Sequence, residues 1–250
     1  MCGRFVQHAD PEIYASRYAA ELPADGLGDW RPSFNVAPTR PVLAIRAAKD
    51  GGRELAALRW GLIPSWSQGP DNRYSMINAR AESVATKPAY RSAFKRRRCL
   101  IPADGFYEWQ APVAGEDAGK GGGKGVGKDR SKPKQPYFIH RRDGAPILLA
   151  GLWEVWRPQE GDPVHSCTIV VTDANAAIAP VHERMPVVLD PDTPGAMDTW
   201  LDPDNADTDA LQALLRPAPA GAWVLDPVSR RVNSPRNDDA DLLTPITDGG

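Results

Sequence analysis

The most unusual chemical prospect in this sequence is Cys2, because loss of Met1 would leave an α-amino group and a thiol on adjacent carbons. Methionine removal is favoured by a small second residue, and cysteine qualifies. An α-amine ordinarily titrates at about 7.7–8.0 and a thiol at about 8.5, so a useful fraction of both is expected to be nucleophilic near neutral pH. Such a 1,2-aminothiol condenses with an aldehyde: the amine forms an imine and the thiol closes a five-membered thiazolidine. No internal cysteine can do this. The same pair also suits attack on a carboxamide with the amine as base, and a lone cysteine is otherwise read as an inert early-strand residue. Position alone leaves these readings open.

The remaining sequence must supply a scaffold that holds such a terminus. Its 250 residues, 42% hydrophobic and 25% charged, are enough for the core of one large domain. The start, MCGRFVQHAD, has no apolar signal core, and the longest apolar run, Pro146–Trp153, is strand-sized. Secretion and a membrane span are therefore not expected, and the cytoplasm is. Three cysteines without zinc-like spacing fit a reducing compartment better than a disulfide framework. A net charge of −2 gives no nucleic-acid signal, so any DNA contact must rest on local Arg and Lys clusters.

Asp10 before Pro11 reads as a helix cap, and Tyr14, Tyr18 and Leu22 recur every four residues, predicting a helix to about Leu22. Short apolar stretches between Gly, Pro, Asp and Asn then predict strands at Val42–Arg46, Leu55–Trp60, Cys99–Pro102, Tyr137–His140, Ile147–Trp156, Cys167–Val171 and Val187–Leu189. Two later helices are expected at Pro194–Leu201 and Thr208–Leu215. The pattern implies an α+β fold: a single β-rich domain over 1–240 with a mostly antiparallel, barrel-like sheet and peripheral helices. The Gly/Lys-rich segment 113–136 lacks large apolar side chains and reads as a flexible insertion loop. It has no Gly-Lys-Ser/Thr ending, so it is not a phosphate loop. The tail 241–250 is expected to fray.

Several blocks carry a resemblance. MCGRF at the start, NVAP at Asn35–Pro38, WGLIPSW at Trp60–Trp66 and INARAE at Ile77–Glu82 resemble the SOS-response-associated peptidase (SRAP) family. CLIPADGFYEW at Cys99–Trp109, HERMP at His182–Pro186 and VNSPRND at Val232–Asp238 do so too, all in family order. The resemblance implies sensing of abasic sites in single-stranded DNA and covalent linkage through the N-terminal cysteine, with Met1 released by self-processing and the link open to reversal or lyase chemistry. It implies Cys2, Asn78, Glu108 and His182 as the catalytic set. Glu108 would move protons during aldehyde addition and Met1 release, His182 would assist sugar opening or link reversal, and Asn78 would donate to a sugar oxygen or fix the amine. No metal or cofactor is implied, and a monomer is expected.

Arg4, Arg80 and Arg184 each lie within two residues of one of these groups, and guanidinium forks suit phosphate oxygens. Either Lys87 or Arg91 stands where the family would place a further basic contact. The run Lys95–Arg98 reads equally as a solvated face or a DNA contact. Trp66 and Trp109 could stack on exposed bases, whereas Trp153, Trp156, Trp200 and Trp223 read as core. Cys99 and Cys167 read as packing residues, and His8, His140 and His165 receive no role. Two other classes compete: an N-terminal-cysteine glutamine amidotransferase and a non-catalytic single-strand DNA or protein-interaction module. The first usually has an aliphatic fourth residue and Arg-Gly-Pro and Asn-Gly-Glu signatures that are absent here. The second leaves Cys2, Glu108 and His182 unexplained.

Overall fold

The structure is a computed structural model that describes residues 2–70, 76–112 and 133–246. The chain begins with β1 (Arg4–Gln7), α1 (Pro11–Tyr18), β2 (Ser33–Val36), β3 (Pro41–Ala47), β4 (Arg53–Trp60) and β5 (Asn78–Arg80). It continues through α2 (Arg91–Arg96), β6 (Arg98–Ala103), β7 (Gly105–Gln110), β8 (Gln135–Arg141), β9 (Ile147–Trp156) and β10 (Val164–Asp173). It ends with β11 (Arg184–Pro186), β12 (Val188–Leu189), α3 (Ala196–Leu201), α4 (Thr208–Ala213) and β13 (Trp223–Pro227).

One sheet runs β13-β8-β7-β1-β2. The larger sheet runs β11-β10-β4-β3-β6-β9-β12 and closes into a ring because β10 also pairs with β9. Among the described strands only the pairings of β10 with β4 and β5 are parallel, so the mostly antiparallel, barrel-like α+β expectation holds. No helix among the described residues is long and apolar enough to cross a membrane.

The ring strands lack simple alternation because both faces are covered. All six residues of β6 and the first six of β9 are buried. One face places Leu43, Ile45, Leu100 and Leu152 against Tyr14 and Tyr18 of α1, Phe94 of α2 and Trp200 of α3. The other places Val42, Ala44, Ile101 and Ile169 against Phe5, Phe106 and Ile139 of the smaller sheet. Gln7 fastens the two sheets together: its amide nitrogen donates to the Leu43 and Pro102 carbonyls at 3.1 and 2.7 Å, and its oxygen accepts from Leu43 N and Trp30 Nε1. Every polar atom of this buried side chain is thereby engaged, which makes the sheet-to-sheet join specific.

Several boundaries differ from the sequence expectation. Asp10 does cap α1, accepting from Glu12 N at 2.9 Å, but the helix stops at Tyr18 with Ala19 in the left-handed region. The next residues turn to pair with β4, where Glu21 N donates to Arg53 O and Leu55 N donates to Glu21 O; Leu22 is left exposed. The end of the expected insertion 113–136 is strand, because Gln135 and Pro136 open β8; residues 113–132 lie outside the described residues. Of the tail 241–250, the part through Ile246 is docked, with Leu242 buried beside Val6, Tyr107 and Val232 and Ile246 N donating to Pro227 O; residues 247–250 lie outside the described residues. Among the tryptophans read as core, Trp200 and Trp223 are buried but Trp153 and Trp156 are only half-buried.

The basic run before Cys99 is divided. Arg98 is buried and donates from Nε to Trp200 O at 2.6 Å, from Nη1 to Phe94 O at 2.7 Å and from Nη2 to Asp202 O. It ties α2 and α3 to the ring and is not a DNA contact, because a buried guanidinium must spend its donors on internal carbonyls. Arg97 pairs with Glu154 at 2.7 Å. Lys95 and Arg96 remain exposed.

Two stability predictions arise here. A Cβ on Gly105 would lie 2.5 Å from the Phe138 ring and 2.8 Å from Ile139 O, so Gly105→Ala is expected to cost about 1–3 kcal/mol in a urea melt. An unchanged midpoint would contradict the close approach of β7 and β8. All three thiols are buried, and burial pushes each well above its ordinary value. The unfolded chain ionises its thiols above about 8.5 while the folded chain keeps them protonated. Their contribution is therefore complete below that pH and lost above it, at about 1.4 kcal/mol per pH unit per thiol. Urea midpoints should fall steeply on going to alkaline pH, less steeply in Cys167→Ala; a flat profile would refute the burial.

Candidate active site

The two sheets meet where the candidate catalytic residues gather. β1 pairs with β7, placing Arg4 opposite Tyr107, so Cys2 leads into β1 on the side of Glu108. β5 lies along β10 with Asn78 opposite Ile169, and β11, which follows His182, pairs with the end of β10. Cys2 and Glu108 are 0% and 2% exposed. The Asn78 side-chain amide donates to the Cys2 carbonyl at 2.8 Å, and Nε2 of His182 lies 4.0 Å from Oε2 of Glu108. Residues separated by as many as 180 positions are thus brought to one point.

Local bonds orient each group. The Tyr90 hydroxyl donates to the Asn78 carbonyl at 3.1 Å, steadying the short β5. The amide oxygen of Asn78 is buried and has no hydrogen-bond partner among the described residues, a position from which it can accept from an amine or a sugar hydroxyl. Arg184 N donates to Nδ1 of His182 at 3.0 Å. Nδ1 also lies 3.3 Å from the Arg184 carbonyl, so this edge of the ring is held by one residue while Nε2 faces Glu108.

The electrostatics revise one expectation. The Cys2 thiol is not partly ionised near neutrality: burial raises its pKa far above the usual range, and the Glu108 charge raises it further. A neutral thiol is a poor first nucleophile. The arrangement therefore favours first attack by an amine at position 2, followed by thiol addition with Glu108 placed to handle the proton. Met1 itself lies outside the described residues.

The proposed phosphate contacts separate into different kinds. Arg80 is exposed, and no carboxylate pairs with it among the described residues. It lines a cleft of about 350 Å³ with His182, Arg184 and Asp173. Arg184 is already paired, with Glu82 at 2.6 Å and Asp173 at 3.4 Å. Arg4 is turned inward: Nη1 donates to Asn35 Oδ1 and Val232 O, and Nη2 to Asn233 O. Lys87 and Arg91 are exposed at the approach to α2. Trp66 is 68% exposed on a loop fastened to β9 by a bond from Trp156 Nε1 to Ser67 O. Trp109 is half-buried, its indole N–H donating to Asn233 Oδ1 at 2.7 Å.

Sequence reasoning missed the supporting groups. Asn35 is buried and its amide donates to the carbonyls of Val232, Ser234 and Asn237. Asp238 accepts from Ser33 Oγ and Phe34 N. Together they strap the 232–238 segment beside Arg4 and Trp109. The signal was present, since NVAP and VNSPRND are two of the resembling blocks, but nothing in either shows that they bind each other. Among the described residues no group of three His, Cys, Asp or Glu side chains is placed to hold a metal ion.

The class defined by this site is a β-rich domain that sets the cysteine at position 2 beside a carboxylate, an imidazole and an amide. The family model described as "SOS response associated peptidase (SRAP)" matches residues 1–235, and the chain belongs to that family. It is 39% identical to Abasic site processing protein YoaM of Bacillus subtilis, over 97% of each chain. It is 34% identical to Abasic site processing protein HMCES of Gallus gallus, over 88% of this chain and 68% of that one. A crystal structure of a Bacteroides thetaiotaomicron protein superposes with a TM-score of 0.78 at 22% identity, covering 98% of this chain and 100% of that one; it shows the shared fold.

Proposed function

We propose that this protein captures abasic sites in single-stranded DNA by forming a thiazolidine between Cys2, freed of Met1, and the ring-opened C1′ aldehyde of the lesion. The observation that carries the reading is the convergence of Cys2, Asn78, Glu108 and His182 from four separate strands or strand ends. Relatives named as abasic site processing proteins, similar along nearly the whole chain, support the choice of an abasic site.

The steps balance without a cofactor. The α-amine adds to the aldehyde and water leaves, giving an imine. The Cys2 sulfur then bonds to the imine carbon, and the thiol proton ends on the nitrogen. Glu108 relays that proton, and His182 protonates the sugar ring oxygen during opening. Asn78 holds the Cys2 carbonyl and offers its free oxygen to the amine. An imine left alone would draw electrons from the sugar and promote β-elimination, so ring closure protects the strand. Arg80 takes the phosphate nearest the lesion, with Arg4, Arg184, Lys87 and Arg91 shaping the strand path and Trp66 and Trp109 stacking on neighbouring bases. Glu108 also assists release of Met1, and reversal through the imine accounts for lyase activity.

Mixing the protein with single-stranded DNA bearing one abasic site and running a denaturing gel tests the reading. A heat-stable shifted band is expected with abasic DNA and not with intact DNA. Reversible binding with no covalent band would overturn it. In the same assay Arg80→Ala is expected to weaken capture about tenfold at low DNA concentration, consistent with loss of one charge-assisted phosphate contact.

A further inference from the structure

A second cleft, of about 510 Å³, lies at the opposite end of β10 from Arg80 and is lined by Pro23, Leu27, Pro41, Arg46, Arg59 and His165 among others. His165 and Asp173 are eight residues apart on β10, which separates this cleft from the His182 end by about 26 Å. No part of the proposed aldehyde chemistry uses it.

Its electrostatics are unbalanced. Arg59 is half-buried, and among the described residues its side chain makes one hydrogen bond, from Nη1 to the Gly61 carbonyl at 2.8 Å. Among the described residues no carboxylate pairs with it, and burial lowers its pKa. Arg46 is held in place by Glu54 at 2.6 Å and by the Trp153 ring, whose centroid is 4.5 Å from the guanidinium carbon. Its Nη1 lies 3.2 Å from Nδ1 of His165, whose ring stacks parallel to Trp153. Burial lowers the His165 pKa, with Arg46 and Arg157 adding to the effect and Glu54 opposing it. Among the described residues the one acid lining the cleft, Asp29, is exposed. A desolvated guanidinium without a counter-charge, beside a pre-oriented guanidinium, is a site that an oxyanion would complete. Pro23, Leu27 and Pro41 add an apolar wall beyond what a bare ion needs.

We infer that this cleft binds a phosphate-bearing nucleotide unit, with the phosphate on Arg59 and Arg46 and the apolar part against Leu27 and Pro41. The phosphate comes either from a free nucleotide or from a DNA strand running beyond the lesion site. The cleft is independent of whether Cys2 reacts with DNA.

The test is an NMR titration of the full chain with ring-labelled histidine. The ligands are inorganic phosphate, thymidine monophosphate and a short single-stranded oligonucleotide without an abasic site. An anion beside His165 favours its charged form, so a saturable shift towards imidazolium is expected at fixed pH. Saturation by the mononucleotide assigns the phosphate to free nucleotides, and saturation by the oligonucleotide alone assigns it to the strand. Arg59→Gln should weaken the response about tenfold, and Arg59→Lys should bind with intermediate affinity because it keeps the charge and loses the planar fork. Neither should change adduct formation with a short abasic oligonucleotide. A His165 ring unmoved by all three ligands, or a wild-type response in Arg59→Gln, would overturn the inference. Because the readout needs no adduct, its failure is distinct from failure of the abasic-site reading.

Discussion

Replacing Cys2 with Ala is expected to abolish the heat-stable DNA adduct completely while leaving a transient one. The variant keeps its α-amine, so it can still condense with the aldehyde, but no sulfur is present to close the ring. The imine that accumulates should be captured by borohydride as a reduced, permanent link. Without borohydride it should promote β-elimination, so strand cleavage is expected to rise above the wild-type level. Removing a small side chain at a fully buried position costs only a modest amount of stability, and a melt distinguishes that from loss of chemistry. A heat-stable band in Cys2→Ala, formed without reductant, would remove the thiol from the mechanism.

Glu108→Gln should have the second largest effect, slowing adduct formation by about 10²–10⁴-fold, the range for a positioned proton-transfer group. Glutamine keeps the size and hydrogen-bonding capacity of the side chain but cannot take a proton. The same change should act oppositely on a simpler reaction. The Glu108 charge helps hold the Cys2 thiol protonated, so removing it lowers the thiol pKa and should speed alkylation by iodoacetamide. A purely structural Glu108 would lower the melting temperature and slow neither reaction selectively. Slower capture with faster alkylation separates proton relay from scaffolding; equal rates to wild type in both assays would remove the role.

The parts of the fold that were legible are those whose burial is written in consecutive residues. β9 and β10 are long apolar runs, and the expected strands there fall within the observed ones. β5, β11 and β12 span three residues or fewer, and such pieces become strands only because β9 or β10 offers an edge; β5 and β11, which carry or follow Asn78 and His182, left no periodic signal. α1 overran because Leu22 continues a helical spacing that the left-handed turn at Ala19 interrupts. Arg98 looked like surface charge because sequence shows its neighbours Arg96 and Arg97 and not the Trp200 and Asp202 carbonyls it serves. At the site, motif resemblance singled out Cys2, Asn78, Glu108 and His182, which the fold brings together. The state of the thiol could not be read in this way, because desolvation depends on the strands folded around it. A thiol held neutral by burial fits the proposed order, in which the amine makes the first bond and the sulfur the second.

Intact-mass analysis of the wild-type adduct, followed by peptide mapping, tests the thiazolidine mechanism most directly. Imine formation expels one water and ring closure changes no mass. The adduct should therefore weigh the Met1-free chain plus the abasic oligonucleotide less one water, with the modification on the N-terminal peptide at Cys2. An adduct that retains Met1, or one mapped to a lysine or any other residue, would contradict it.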